Sequence, residues 1–213
     1  MSITIALLII TGLISYQGFN NRQVIDRLKH YPIAEHQQKE YYRLLSSGFV
    51  HGNMTHLIVN AIVLYSFGTQ IEQQFVVLFG PLKGLLVFLI MYLSAIVVAD
   101  LPTYFRHKND PSYAAVGASG ATSAIALIYC LFYPWSWLGL FFIIPIPAII
   151  FAILYLVYSS WADKNRSDGI GHSAHLYGAI YGIVFMLVIK FSVVSVFFNR
   201  LMQGPTWPPP GFG

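Results

Sequence analysis

Charge is what this chain has least of. Asp, Glu, Lys and Arg make up 9% of its 213 residues, where a soluble domain carries about 25%. So few charges cannot cover a water-exposed surface of this size, which excludes an ordinary soluble domain and leaves a membrane class. Cysteine is nearly absent. Cys130 stands alone in an apolar run, so an intrachain disulfide framework and a cysteine metal cluster are both excluded. No Lys or Arg precedes the first apolar run, which opens Met1-Ser2-Ile3-Thr4-Ile5, and no small-residue cleavage site follows it. That run reads as a retained span rather than a signal peptide. The net charge is +4, but the basic residues are scattered. Without a basic stripe interleaved with aromatics, nucleic acid is not an expected partner. There is no internal repeat, and residues 1–213 read as a single domain.

What is present is apolar: 56% of the residues are hydrophobic and the mean hydropathy is +0.63. A spanning helix needs roughly 20 mostly apolar residues. Six runs qualify, at about 3–17, 54–71, 80–101, 117–134, 136–159 and 173–197. The fold class predicted is an all-α membrane protein, a bundle of six transmembrane helices. The second span starts after Asn53, a helix-capping residue, and the third after Gly80-Pro81. Pro134-Trp135-Ser136-Trp137 makes a short turn into the fifth, where Pro145 and Pro147 predict a kink. The first loop, 18–53, mixes charged and apolar residues, and short membrane-associated helices at the interface are expected there. The tail, 203–213, is proline-rich and predicted to be extended.

Polar residues gather at the starts of three of these spans. Ser119 lies in Gly117-Ala118-Ser119-Gly120, His175 opens the sixth span, and His56 and Asn60 open the second. Consecutive spans alternate in direction, so the second, fourth and sixth run parallel. Their starts then share one side of the membrane at a similar depth, given a rise of about 1.5 Å per residue. A serine hydroxyl becomes a useful nucleophile when a neighbouring base takes its proton, and neutral imidazole suits that task. Acyl attack creates an oxyanion that needs donors. The Ser119 backbone N–H, at a helix start, has no partner inside its helix. His56 and Asn60, four apart, share a helix face. Gly117 and Gly120 leave room for a substrate backbone. His175, Gly178 and Gly182 fall on one face of the sixth span, and the two glycines allow close approach to the fourth.

Each residue also has a plainer reading: a capping serine, a packing histidine, an interhelical hydrogen-bond pair. The matched depths favour the chemical reading, since ionisable groups inside a membrane are functional by default. His172 with His175, and His51 with His56, have no carboxylate or cysteine joining them in a ligand pattern, so no metal is expected. No cofactor is expected either. Asp168 is a minor candidate for a group orienting His175. Glu72 is as readily a loop anchor as a gating residue.

These motifs resemble those of the rhomboid family of intramembrane serine proteases. Gly117-Ala118-Ser119-Gly120 is similar to its G-x-S-G motif. Ala174-His175-Leu176-Tyr177-Gly178-Ala179-Ile180-Tyr181-Gly182 is similar to A-H-x-x-G-x-x-x-G, and His56-Leu57-Ile58-Val59-Asn60 to H-x-x-x-N, with His51 ahead of it. Six spans correspond to the minimal, bacterial type. The resemblance implies a Ser119–His175 dyad with no third acid, and an oxyanion site of His56, Asn60 and the Ser119 amide. It implies a structural, membrane-embedded first loop, and a cap formed by residues 160–172 with the fifth span. It implies single-span membrane protein substrates cut in or near the membrane, with the lipid bilayer as the other partner. By analogy it also implies a prokaryotic inner membrane. A non-catalytic relative that escorts membrane segments is the alternative, but it would need neither Ser119 nor His175. A small transporter ranks last, for want of paired intramembrane charges or repeat-related broken helices.

Three departures from the family pattern stand out. Tyr42-Arg43 replaces a frequent Trp-Arg. Ser123 occupies the place, four after the serine, where an aromatic residue often packs on the histidine. Nine basic residues (Arg22, Arg27, Lys29, Lys39, Arg43, Arg106, Lys108, Lys164, Arg166) fall on the side of the site, against three (Lys83, Lys190, Arg200) on the other. By the positive-inside rule that side is cytoplasmic, the reverse of the common bacterial arrangement.

Overall fold

The computed structural model describes residues 2–140, 144–166 and 171–205. Helix α1 (Ile3–Asn20) is followed by three short helices of the first loop, α2 (Arg22–Leu28), α3 (Pro32–Gln37) and α4 (Arg43–Ser46). The second span is α5 (Met54–Val63) and α6 (Thr69–Phe79), joined by a π-helical turn over Leu64–Gly68. Then come α7 (Pro81–His107), α8 (Ser119–Phe132), the antiparallel strand pair β1 (Trp137–Leu140) and β2 (Ile144–Pro147), α9 (Ala148–Asn165), α10 (His172–Ile189) and α11 (Val193–Met202). Among the described residues, α1, the α5–α6 segment, α7 and α10 are long and apolar enough to cross a membrane. The molecule is a helical membrane bundle.

Helix α8 is its axis. Twelve of its 14 residues are buried, from Gly120 to Phe132, and α7, α9, α10 and the second span pack around it. Helix α1 turns the soluble pattern inside out. Thr4, Leu7, Thr11, Ser15 and Gly18 face the bundle, while Ile9, Leu13 and Tyr16 are exposed. Lipid is as apolar as leucine, so small and weakly polar residues make the better helix interface.

Two ends of the bundle can be followed through side chains. At one, the C-terminal turns of α7 and α9 meet through Arg106 and Asp163 (3.1 Å). At the other, the C-terminal end of α8 meets Gln74, whose amide donates to Tyr133 Oη, and Arg200, whose guanidinium donates to Phe132 O. Glu72 also lies at this second end. Its carboxylate accepts from Ser2 Oγ, Ile3 N, Thr4 N and Thr4 Oγ1 at 2.6–3.0 Å. These are groups of the first turn of α1, which otherwise lack partners and carry the positive end of the helix dipole. Glu72 is therefore the anchor of α1.

The structure departs from the sequence boundaries in three places. Residues 137–140 and 144–147 form a pair of antiparallel strands instead of the first turns of a fifth span, with Trp137 opposite Pro147 and Gly139 opposite Pro145. Proline cannot donate to a helix ladder, but it is tolerated on an edge strand. The fifth helix begins only after Pro147. The sixth span breaks at Lys190 and resumes as α11. The π-helical turn in the second span adds a residue that no periodicity announced. The cap expected at 160–172 belongs to α9 as far as Asn165. Asp168 and most of the predicted extended tail lie outside the described residues.

Candidate active site

Ser119 is the first residue of α8. The segment before it is held by the first loop, residue after residue. Ala115 exchanges both backbone hydrogen bonds with His30 (3.0 Å each), and Gly117 N donates to Ser47 O (2.9 Å). Ala118 N donates to His51 Nε2 (3.4 Å). Gly117 has φ +121, a backbone state that side chains disfavour. It also has no room for one, since a Cβ there would lie 2.6 Å from His56 Cε1. The imidazole of His56 thus rests directly on the turn that presents Ser119.

The first loop is itself pinned from within. Arg43 donates to Asp26 O (2.8 Å), Lys29 O (3.3 Å) and the Glu40 carboxylate (2.6 Å). The buried His30 bridges Glu35 and Thr103, and Ser47 Oγ donates to Asp100 (3.0 Å). These bonds dock α2–α4 against α7 and, through the backbone contacts above, fix the approach to Ser119.

A cavity of about 800 Å³ opens in front of α8. Ser119, His175, His56 and Asn60 all line it, together with Thr122 and Tyr155. Asn60 has a set orientation: Thr122 Oγ1 donates to its Oδ1 (3.0 Å), and its Nδ2 donates to His56 O (3.0 Å). An amide carries two such hydrogens, so a second one is left for an acceptor in the cavity. His51 is buried behind His56, with ring centroids 5.0 Å apart. Its tautomer follows from its neighbours. Ser15 Oγ gives its hydrogen to Phe49 O (3.1 Å), so it accepts from His51 Nδ1 (2.9 Å). The His51 Nε2 lone pair is then free to receive Ala118 N–H. Burial first, and the neighbouring His56 second, push the His51 pKa down to about 3. His51 stays neutral near pH 7.

Helices α8 and α10 touch backbone to backbone. A Cβ on Gly182 would lie 2.5 Å from Ala124 O, and one on Gly178 would overlap the Gly120 carbonyl group. On the other side of α8, a Cβ on Gly120 would collide with Ala99. Gly178 and Gly182 thus set the distance at which His175 is carried past Ser119. His175 N donates to Gly171 O (3.1 Å). Its ring stacks on Tyr155 of α9 (6.2 Å between centroids, 24° between planes) and meets His172 edge-on (5.9 Å). Tyr155 Oη lies 2.5 Å from Ser123 Oγ. Sequence reasoning missed Tyr155 and Thr122. Each sits inside an apolar run, and only helix packing aims them at the cavity. No three His, Cys, Asp or Glu side chains converge among the described residues.

The Rhomboid domain family matches residues 38–192, most of the chain. The chain belongs to the rhomboid family. Among relatives of this rhomboid chain, "RHOMBOID-like protein 12, mitochondrial" of Arabidopsis thaliana is 34% identical over 148 residues, covering 65% of this chain and 43% of the relative. "Rhomboid-related protein 1" of Caenorhabditis elegans is 26% identical over 171 residues (77% and 44%). "Rhomboid protein 1, mitochondrial" of Saccharomyces cerevisiae is 24% identical over 183 residues (80% and 49%). The chain spans less than half the length of these relatives. Two of the three carry a mitochondrial name, so the expectation of a prokaryotic inner membrane, like that of a bacterial type, draws no support from them. What holds is an integral, multi-pass membrane protein.

Proposed function

We propose that this rhomboid protein is an intramembrane serine endopeptidase that cleaves single-span membrane proteins in or near the membrane segment. The observation that carries this reading is one cavity lined by Ser119, His175, His56 and Asn60. Ser119 Oγ attacks the scissile carbonyl while His175 takes its proton. The Ser119 N–H, the second hydrogen of Asn60 Nδ2 and the His56 imidazole surround the oxyanion. His175 returns the proton to the leaving amine. Water then hydrolyses the acyl ester, with His175 again as base.

Helix lengths support a site below the membrane surface. Helix α8 has 14 residues, about 21 Å, against about 40 Å for the 27 residues of α7. The end of α8 away from Ser119 is tied to Gln74 and Arg200, so its shortness appears at the Ser119 end. Water reaches that depth through the cavity, which protein walls separate from lipid. The substrate segment enters between the apolar walls formed by Val59 and Val63 of α5 and Phe151 of α9, all of which line the cavity.

The test is cleavage of a labelled single-span substrate in proteoliposomes. Ser119→Ala and His175→Ala should each lower kcat by at least about 10³-fold. Cleavage surviving in either purified variant sinks the dyad. If the wild type is silent while all three proteins hold the substrate equally well, a binding role that needs no chemistry takes its place.

A further inference from the structure

We propose that Tyr155 is the positioning residue for His175, and that Ser123 is its anchor. The inference rests on the Ser119–His175 reading above and deepens it. The starting point is a vacancy in sequence. Four residues after Ser119, one turn along α8, the chain places the small Ser123. The structure fills the resulting space from another helix. Tyr155 of α9 lays its ring on the His175 imidazole at 6.2 Å and 24°. Phe151, one turn before it on α9, backs the same ring at 5.5 Å and 22°. Tyr155 is thus stacked with both Phe151 and His175.

The phenol end is fixed as firmly as the ring. Ser123 Oγ has one hydrogen and gives it to Ser119 O at 2.6 Å. The hydroxyl of Tyr155, 2.5 Å away, must therefore donate to Ser123 Oγ. Two hydrogen bonds in series run from the carbonyl of Ser119 itself to the ring on which His175 stacks. The register between the two dyad residues, carried on α8 and α10, is set through a third helix. A larger side chain at position 123 would take the space of the Tyr155 hydroxyl, so the small residue and the tyrosine form one device. The stacked ring holds the imidazole in one orientation, and its face attracts the imidazolium that forms when Ser119 is deprotonated.

The experiment compares steady-state cleavage in proteoliposomes of wild type, Tyr155→Leu, Tyr155→Phe, Ser123→Ala and the Tyr155→Phe/Ser123→Ala double variant. Imidazole proton NMR of His175 is recorded on the same proteins in micelles. Tyr155→Leu should lower kcat roughly tenfold to a hundredfold with KM little changed, the signature of misplacement rather than lost binding. Tyr155→Phe and Ser123→Ala break the same hydrogen bond. Each should cost a few-fold in kcat, and the double variant no more than either single change. The His175 ring resonances should move in Tyr155→Leu, which loses the ring current, and stay close to wild type in Tyr155→Phe. Wild-type kcat in Tyr155→Leu, or multiplying losses in the double variant, overturns the proposal. If the wild type itself does not cleave, the dyad reading has failed and the spectra judge the stacking alone. Unmoved His175 resonances in Tyr155→Leu then overturn it, and moved ones uphold it.

Discussion

His51 illustrates how much of this site is decided one residue behind the chemistry. It does not line the cavity, yet it accepts the N–H of Ala118, the residue just before Ser119, and packs against His56. Accepting the Ala118 N–H needs the neutral ring with its proton on Nδ1. Its folded pKa of about 3 is below the ordinary 6.5, so between those values the unfolded chain binds the proton that the folded one refuses. Stability from this residue is therefore complete above about pH 6.5 and is lost as pH falls towards 3. Thermal denaturation in detergent from pH 8 to pH 4 should show the midpoint falling through that window. In His51→Gln, which never charges, the fall should be shallower from a lower start. An unchanged slope in that variant would remove His51 from the acid response.

At the scale of elements, the contact between α8 and α10 is the least forgiving part of the design. The atoms that a Cβ on Gly178 would strike belong to the Gly120 backbone, not to the end of a flexible side chain. Relief would require the helices to separate, taking His175 away from Ser119. Gly178→Ala should therefore destabilise by about 1–3 kcal/mol and also lower kcat in the protein that remains folded. A variant that loses stability but retains full kcat would show that the helix spacing does not set the geometry of the proposed Ser119–His175 dyad. This contact was legible in the sequence, because small residues four apart and in phase with the polar His175 describe a helix face. The helix start at Asn53 was legible through its capping side chain, which accepts from His56 N (2.8 Å), the one at Gly80-Pro81 through proline's fit to a first helical position, and the one near Ser119 through the glycine-serine motif. The strand pair at 137–140 and 144–147 was not, because hydropathy cannot distinguish an apolar strand from an apolar helix, and the two prolines were weighed as kinks rather than as strand residues. The π-helical turn and the Tyr155–Ser123 pairing were hidden for a related reason. Both depend on which helix ends up beside which, and a periodic pattern carries no such information.

At the scale of the whole molecule, the two ends differ in charge. Of the nine basic residues of the site-side loops, Arg106 meets Asp163 at one end of the bundle and Arg22 and Lys29 line the cavity, while Arg200 lies at the other end, against the end of α8. Several of the nine are engaged. Arg43 is buried in the first loop, and Lys29 pairs with Asp26 at 2.8 Å. The positive-inside rule counts Lys and Arg near span ends and gives acidic partners little weight, so these pairings do not cancel the bias. The rule then predicts that the mouth of the Ser119 cavity faces the inner, positively biased side of the membrane. Single cysteines test this in a background where the buried Cys130 is replaced by alanine, using a membrane-impermeant maleimide on sealed right-side-out vesicles. Asn109→Cys, at the site end after α7, should be protected until the vesicles are opened, and Gln203→Cys, at the far end, should react at once. The reverse pattern would mean that the basic residues of the first loop, folded against α7 before or during insertion, no longer act as a topology signal. The structure then supplies the reason, in the bonds from His30 and Ser47 that hold that loop to α7 and those from Arg43 that tie the loop together.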